Sequence, residues 1–148
     1  MLIDENHKNL HFSSISCIFA KILFLMIIRE IYLQKLRLLK DQDLIKVVTG
    51  VRRCGKSTLL TAFCNELLES GVNSENIVFF NFEERENIKF NDWTVLYDKI
   101  LSKIKPNQKN YVFLDEVQLI TDFEKLVDSL FVKKNIDLYI TGSNAYLL

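Results

Sequence analysis

Four short apolar runs alternating with stretches of helical periodicity constrain this chain more than any other feature. Leu44–Thr49 (LIKVVT), Ile77–Phe82 (IVFFNF), Tyr111–Asp115 (YVFLD) and Asp137–Thr141 (DLYIT) are rich in β-branched and aromatic residues and read as buried strands. Between the first two, Leu59, Leu60, Phe63, Cys64, Leu67 and Leu68 form one face of a helix over residues 56–70, with Gly71 placed to stop it. Asp92 is positioned to cap a helix through Val95, Leu96, Ile100 and Ile104, and Pro106 marks the loop beyond. Asp122 opens a third helix with Phe123, Leu126, Val127 and Leu130 inward and Lys133–Lys134 at its end, where cations complement the helix dipole. Ahead of the first strand, Ile31, Tyr32, Leu36 and Leu39 recur at helical spacing among basic residues. Strands that are apolar throughout, alternating with amphipathic helices, predict a parallel sheet covered by helices on both faces: an α/β fold in three layers, α-β-α, with about four strands.

The chain has 148 residues, enough for one core, and shows no internal repeat, low-complexity tract or Pro/Gly/Ser-rich linker. Its formal net charge of zero excludes a bulk electrostatic footprint for nucleic acid and leaves only a local basic patch open. Cys17, Cys54 and Cys64 are odd in number and form no CxxC pair, and His7 and His11 lie far from the latter two. Neither a disulfide framework nor a zinc site is suggested, and a reducing cytoplasmic setting fits. Residues 1–28 stand apart. Ile15–Ile28 is strongly apolar, but Lys21 interrupts it and it falls short of the roughly 20 residues a bilayer span needs. Arg29 and Glu30 follow where a secretory signal would place small residues. A membrane anchor, an extra helix, and translated sequence upstream of a start at Met26 are the three readings, with the membrane disfavoured.

The first strand runs into Gly50-Val-Arg-Arg-Cys-Gly55-Lys56-Ser57, a full match to G-x-x-x-x-G-K-[ST]. Gly50 and Gly55 allow a tight turn whose N–H groups point inward at a phosphate. The helix beginning at Lys56 directs its positive end at the same anion. Lys56 supplies a point charge to the β- and γ-phosphates of a nucleotide, and the Ser57 hydroxyl is a Mg²⁺ ligand. Thr58 reads chiefly as a second helix-start hydroxyl. Arg52 and Arg53 inside the loop can contact phosphate, a neighbouring subunit or nucleic acid, or stay solvated. Cys54 is a candidate reactive thiol, because N–H groups that bind anions also stabilise thiolate.

About 60 residues on, the third strand ends in Asp115-Glu116. Ligands of open α/β sheets collect at the carboxyl ends of the strands, where the glycine loop also lies. Asp115 is the candidate Mg²⁺ ligand, directly or through water, and Glu116 the candidate base that polarises an attacking water. The fourth strand ends in Thr141-Gly-Ser-Asn144. Asn144 is the first candidate to reach the γ-phosphate, with Ser143 or Thr141 second. Asn81 reads as a strand-end turn former, with a hydrogen bond to Glu116 as the alternative, and Glu83, Glu84 and Asp92 read as loop and cap residues.

The stretches GVRRCGKSTLL, YVFLDEVQLI and DLYITGSNAYLL, in this order and preceded by the basic helix REIYLQKL, resemble the AAA+ ATPases common in bacteria and archaea. The resemblance covers residues from about Met26 to Leu148, so that residues 29–148 correspond to a P-loop ATPase core. It implies ATP and Mg²⁺ as ligands, Lys56 and Ser57 as nucleotide and Mg²⁺ contacts, Asp115 and Glu116 as metal ligand and catalytic carboxylate, and Asn144 as γ-phosphate sensor. Full-length relatives continue with a fifth strand, an arginine element and a further domain. The sequence here ends after the sensor strand, and the family's sheet order would then leave the first strand at an edge. ATP hydrolysis is the leading expectation, and a truncated nucleotide-binding module without turnover of its own is the alternative. No Asn-Lys-x-Asp guanine-reading motif follows the fourth strand, which disfavours GTP. Self-association and a nucleic-acid or protein substrate stay open.

Overall fold

Strand residues that alternate between two apolar faces need cover on both, and the chain supplies it with two pairs of helices. The structure, a computed structural model, describes residues 6–84, 86–87 and 92–143. Along the chain it orders helix α1 (Asn6–Leu39), strand β1 (Lys46–Gly50), α2 (Lys56–Glu69), β2 (Ile77–Asn81), α3 (Trp93–Leu101), β3 (Asn110–Asp115), α4 (Phe123–Phe131) and β4 (Ile136–Ser143). The four strands form one sheet in the order β1-β4-β3-β2, parallel at every pairing. All carboxyl ends therefore lie along one edge. β4 sits between β1 and β3, so the glycine loop and the acidic strand end are next-but-one neighbours rather than adjacent.

In β3, Val112 and Leu114 face one side with Val78 and Phe80 of β2 and Leu138 and Ile140 of β4. There they meet Leu96 and Ile100 of α3 and Leu126, Val127 and Leu130 of α4. Tyr111 and Phe113 face the other side with Tyr139, against Leu59, Leu60, Phe63 and Leu67 of α2 and Leu33 and Leu36 of α1. The Phe113 and Tyr139 rings stack at 4.7 Å, and Phe63 lies 5.3 Å from Tyr139. The three-layer α-β-α arrangement is thus the direct result of period-2 strands with two apolar faces.

Helix ends follow local chemistry. Gly71, at φ 94°, closes α2: its N–H bonds the Leu68 carbonyl at 3.0 Å and the Val72 N–H bonds the Leu67 carbonyl at 3.0 Å, a Schellman closure. Asp92 caps α3, its carboxylate accepting from the Thr94 N–H at 2.8 Å. Asp122 departs from expectation. It precedes α4 in the left-handed region (φ 56°) with no side-chain cap, and its carboxylate pairs instead with Lys125 at 2.7 Å. The apolar N-terminal run is continuous with the predicted basic helix, and both belong to α1. Arg37 fastens α1 to α2 through two bonds to Glu66, at 2.7 and 2.8 Å. Among the described residues β1 pairs only with β4 and is an edge strand, with Val47 49% exposed. No helix among the described residues is long and apolar enough to cross a membrane.

At the amino ends of the strands lies a buried polar network. Lys46 Nζ donates to the Asp137 carboxylate and, at 2.6 Å, to the Gln42 carbonyl. The other Asp137 oxygen accepts from the Asp41 N–H at 2.9 Å and the Tyr139 hydroxyl at 2.8 Å. Both partners of this ion pair are almost fully buried, and the network anchors the turn that leads from α1 into β1.

Candidate nucleotide site

β1 delivers the chain to Gly50, and the loop over residues 51–55 turns it into α2. Gly55 takes φ 92° at the N-cap of α2, a conformation that favours glycine, and leaves the helix start with no side-chain cap. The first helical bond runs from the Leu59 N–H to the Gly55 carbonyl at 3.0 Å. The amides ahead of it therefore point outward at the helix's positive end, ready for an anion. Gly50 plays a different part from the one its spacing suggested. It is not in the left-handed region; a Cβ there would lie 2.8 Å from Cys54 Sγ, so a side chain at this position would have to turn the exposed Cys54 sulfur aside. The left-handed turn inside the loop falls on Arg53, at φ 63°.

Lys56 is buried, and its ammonium lies 3.3 Å from the Gly50 carbonyl and 3.4 Å from the Val51 carbonyl. It also pairs with Glu116 Oε1 at 3.1 Å. The second Glu116 oxygen accepts from Gln118 Nε2 at 2.5 Å. Burial opposes ionisation of Glu116, but the Gln118 hydrogen bond and the Lys56 and Arg52 charges outweigh it and hold the carboxyl below its ordinary range. A polar pocket of about 140 Å³ opens here, walled by Arg52, Arg53, Gly55, Lys56, Ser57, Glu83 and Glu116. Arg52 reaches Glu83 at 3.2 Å on the exposed rim.

Asp115 lies behind this wall, fully buried. One of its oxygens accepts the Thr141 hydroxyl proton; the other is buried without a partner among the described residues. The same Thr141 oxygen accepts from the Glu116 N–H at 2.9 Å. This bond helps hold Glu116 in the left-handed conformation (φ 60°, ψ 51°), unusual for a non-glycine residue. Thr141 is thereby withdrawn from its expected place as a phosphate contact: it is fully buried and its hydroxyl is used twice inside the fold. Ser143 ends β4 within 3.4 Å of Gln118 Nε2. Asn144 lies outside the described residues. Asn81 is the turn former: its side-chain Oδ1 accepts from the Glu83 N–H at 3.0 Å and its Nδ2 lies 3.5 Å from Glu84 Oε1.

Of the residues singled out in the sequence, the pocket gathers Arg52, Arg53, Gly55, Lys56, Ser57 and Glu116, and with them Glu83, which its position suggested only as a loop residue. Thr58 is exposed beyond its wall, and Cys54 is exposed with its sulfur turned toward Gly50. Sequence reasoning missed Gln118 and the double role of Thr141. Only the 3₁₀ turn Val117–Leu119 and the left-handed Glu116 bring Gln118 back over the strand end.

A parallel sheet flanked on both faces, with a strand–glycine loop–helix unit and an acidic strand end on one sheet edge, defines a nucleotide-binding α/β domain of the P-loop kind. The chain belongs to the AAA domain family, whose model matches residues 42–148. It is also 45% identical over 124 residues to an uncharacterized protein of Haemophilus influenzae, covering 83% of this chain and 31% of that protein. The chain thus spans about a third of its relative's length. No solved structure matches it significantly.

Proposed function

We propose that this chain binds ATP together with Mg²⁺ and hydrolyses the β–γ phosphoanhydride by in-line attack of water. The observation that carries the reading is the 3.1 Å approach of Lys56 and Glu116 across one pocket at the start of α2. The cation and the carboxylate line one pocket as an ion pair, and an entering phosphate takes Lys56 from Glu116, leaving the carboxylate beside it. Lys56 and the amides leading into α2 receive the β- and γ-phosphates, neutralising charge that grows toward the transition state. Glu116, kept ionised by its neighbours, accepts the proton of the attacking water. The residues suit Mg²⁺: the unpartnered buried oxygen of Asp115 and the Ser57 hydroxyl are hard oxygen donors, and Mg²⁺ takes few protein ligands. When bound there, the ion offsets phosphate charge. Ser143, or Asn144 beyond it, contacts the γ-phosphate from the end of β4. Cys54 and Cys64 are free thiols, which supports a cytoplasmic setting.

Calorimetric titration with ATP tests the reading. With Mg²⁺ present, Lys56→Ala should lose about 100-fold in affinity, equivalent to about 2.7 kcal/mol. Glu116→Gln should keep binding and lose phosphate release. Equal affinity of the Lys56 variant would end the proposal, and undiminished turnover of the Glu116 variant would remove that carboxylate from its role.

A further inference from the structure

Gln118 stands between the ends of β3 and β4, directly behind the pocket's Glu116, and the sequence pattern gives it no task. Its Nε2 donates to Glu116 Oε2 at 2.5 Å and lies 3.4 Å from Ser143 Oγ at the end of β4. The opposite Glu116 oxygen pairs with Lys56 at 3.1 Å. The carboxylate is therefore gripped from two sides, by a neutral amide and by the pocket's ammonium. Its backbone is fixed as well: the Glu116 N–H is bound by Thr141, and the Glu116 carbonyl accepts from the Leu119 N–H at 3.1 Å. A glutamate side chain has several rotamers to lose, and hydrogen bonds to a charged group are among the stronger ones that select a single geometry.

We propose that Gln118 is the positioning residue that sets where the Glu116 carboxylate sits, against Lys56 on one side and the end of β4 on the other. The inference rests on the ATP-site reading above. A triphosphate entering the pocket must compete with Glu116 for Lys56, because both anions seek the same ammonium. Gln118 makes Glu116 the stronger competitor by removing the rotamer freedom it would otherwise lose on pairing. Once phosphate has taken over Lys56, the amide keeps the carboxylate aimed into the pocket instead of letting it swing to solvent. Gln118 touches no reacting atom and acts only through Glu116.

The consequence has an unusual sign. Replacing Gln118 by Met keeps the side-chain length and removes the donor. It should tighten Mg·ATP binding by about threefold to tenfold, the upper value corresponding to about 1.4 kcal/mol. Glu116→Gln, which removes the competing charge, should tighten binding at least as much. In the Glu116→Gln background, Gln118→Met should then change affinity by less than about twofold, because the two act as one unit. The experiment is a double-mutant cycle on the whole chain, read as the Kd for Mg·ATP by calorimetry, with thermal melts checking that each variant is folded. A merely structural role for Gln118 would weaken binding in both backgrounds. Unchanged or weaker binding of Gln118→Met, or an equal shift with and without Glu116, overturns the proposal. Retained binding by Lys56→Ala in the same series would instead strike at the ATP-site reading itself.

Discussion

Replacing Thr141 by Val removes one hydroxyl and leaves the side-chain shape almost unchanged, so no cavity term enters. In the structure that hydroxyl donates to Asp115 and accepts from the Glu116 N–H at 2.9 Å, inside a site where Thr141 and Asp115 are both fully buried. The other Asp115 oxygen already has no partner among the described residues. Thr141→Val therefore leaves a buried carboxylate without any hydrogen bond and a buried N–H unsatisfied. Stranding buried polar groups costs about 1–3 kcal/mol each, and more when one is charged, so the expected loss is about 3–5 kcal/mol. For a chain of this size each kcal/mol lowers Tm by about 2–4 °C, so the melt should fall by about 6–20 °C. Urea denaturation followed by circular dichroism gives the free energy, and the thermal scan gives the Tm. Thr141→Ser keeps the hydroxyl and should lose less than about 1.5 kcal/mol, the usual cost of one buried methyl. If Thr141→Val lies within about 0.5 kcal/mol of the parent, the hydroxyl does not bridge Asp115 and Glu116 and the account of this strand junction is wrong.

Lys46→Met should cost about 3–5 kcal/mol in urea titrations, because Asp137 stays buried with only neutral donors. Adding Asp137→Asn, which removes the charge and keeps an oxygen to accept from the Asp41 N–H and the Tyr139 hydroxyl, should recover part of that loss, and a single-variant cost below about 1 kcal/mol would contradict the pairing. Gly50→Ala should weaken ATP binding by no more than about threefold, since its Cβ would lie 2.8 Å from Cys54 Sγ and the exposed Cys54 side chain must turn aside. Adding Cys54→Ala should restore affinity, and failure of that rescue would refute the close-approach explanation. Burial pushes the Cys64 thiol up to about 12, so it stays protonated at pH 8. Iodoacetamide at that pH should modify Cys54 and spare Cys64 until the protein unfolds; rapid labelling of Cys64 in peptide maps would place it wrongly in the core.

Much of this architecture could be read from one-dimensional pattern because the forces behind it are local. Alternating buried faces in Tyr111–Leu114, helical spacing through Leu59–Leu67 and the glycine after α2 each express a conformational preference carried by a few neighbouring residues. The glycine loop belongs to the same class: the left-handed turn at Gly55 and the helix that begins at Lys56 are set within a few residues, so spacing alone located the turn. What pattern could not supply was anything that depends on which strands become neighbours. Sheet order places β4 between β1 and β3, and that alone brings the Thr141 hydroxyl onto Asp115 and Ser143 beside Gln118. A hydroxyl about 25 residues away in sequence carries no local mark of its partner. The same holds for Gly50, over which the Cys54 sulfur folds back, and for Glu116, whose left-handed backbone swings Gln118 onto its own carboxylate. Short-range preference chose the elements and the loop; the packing of distant strands chose which polar groups meet.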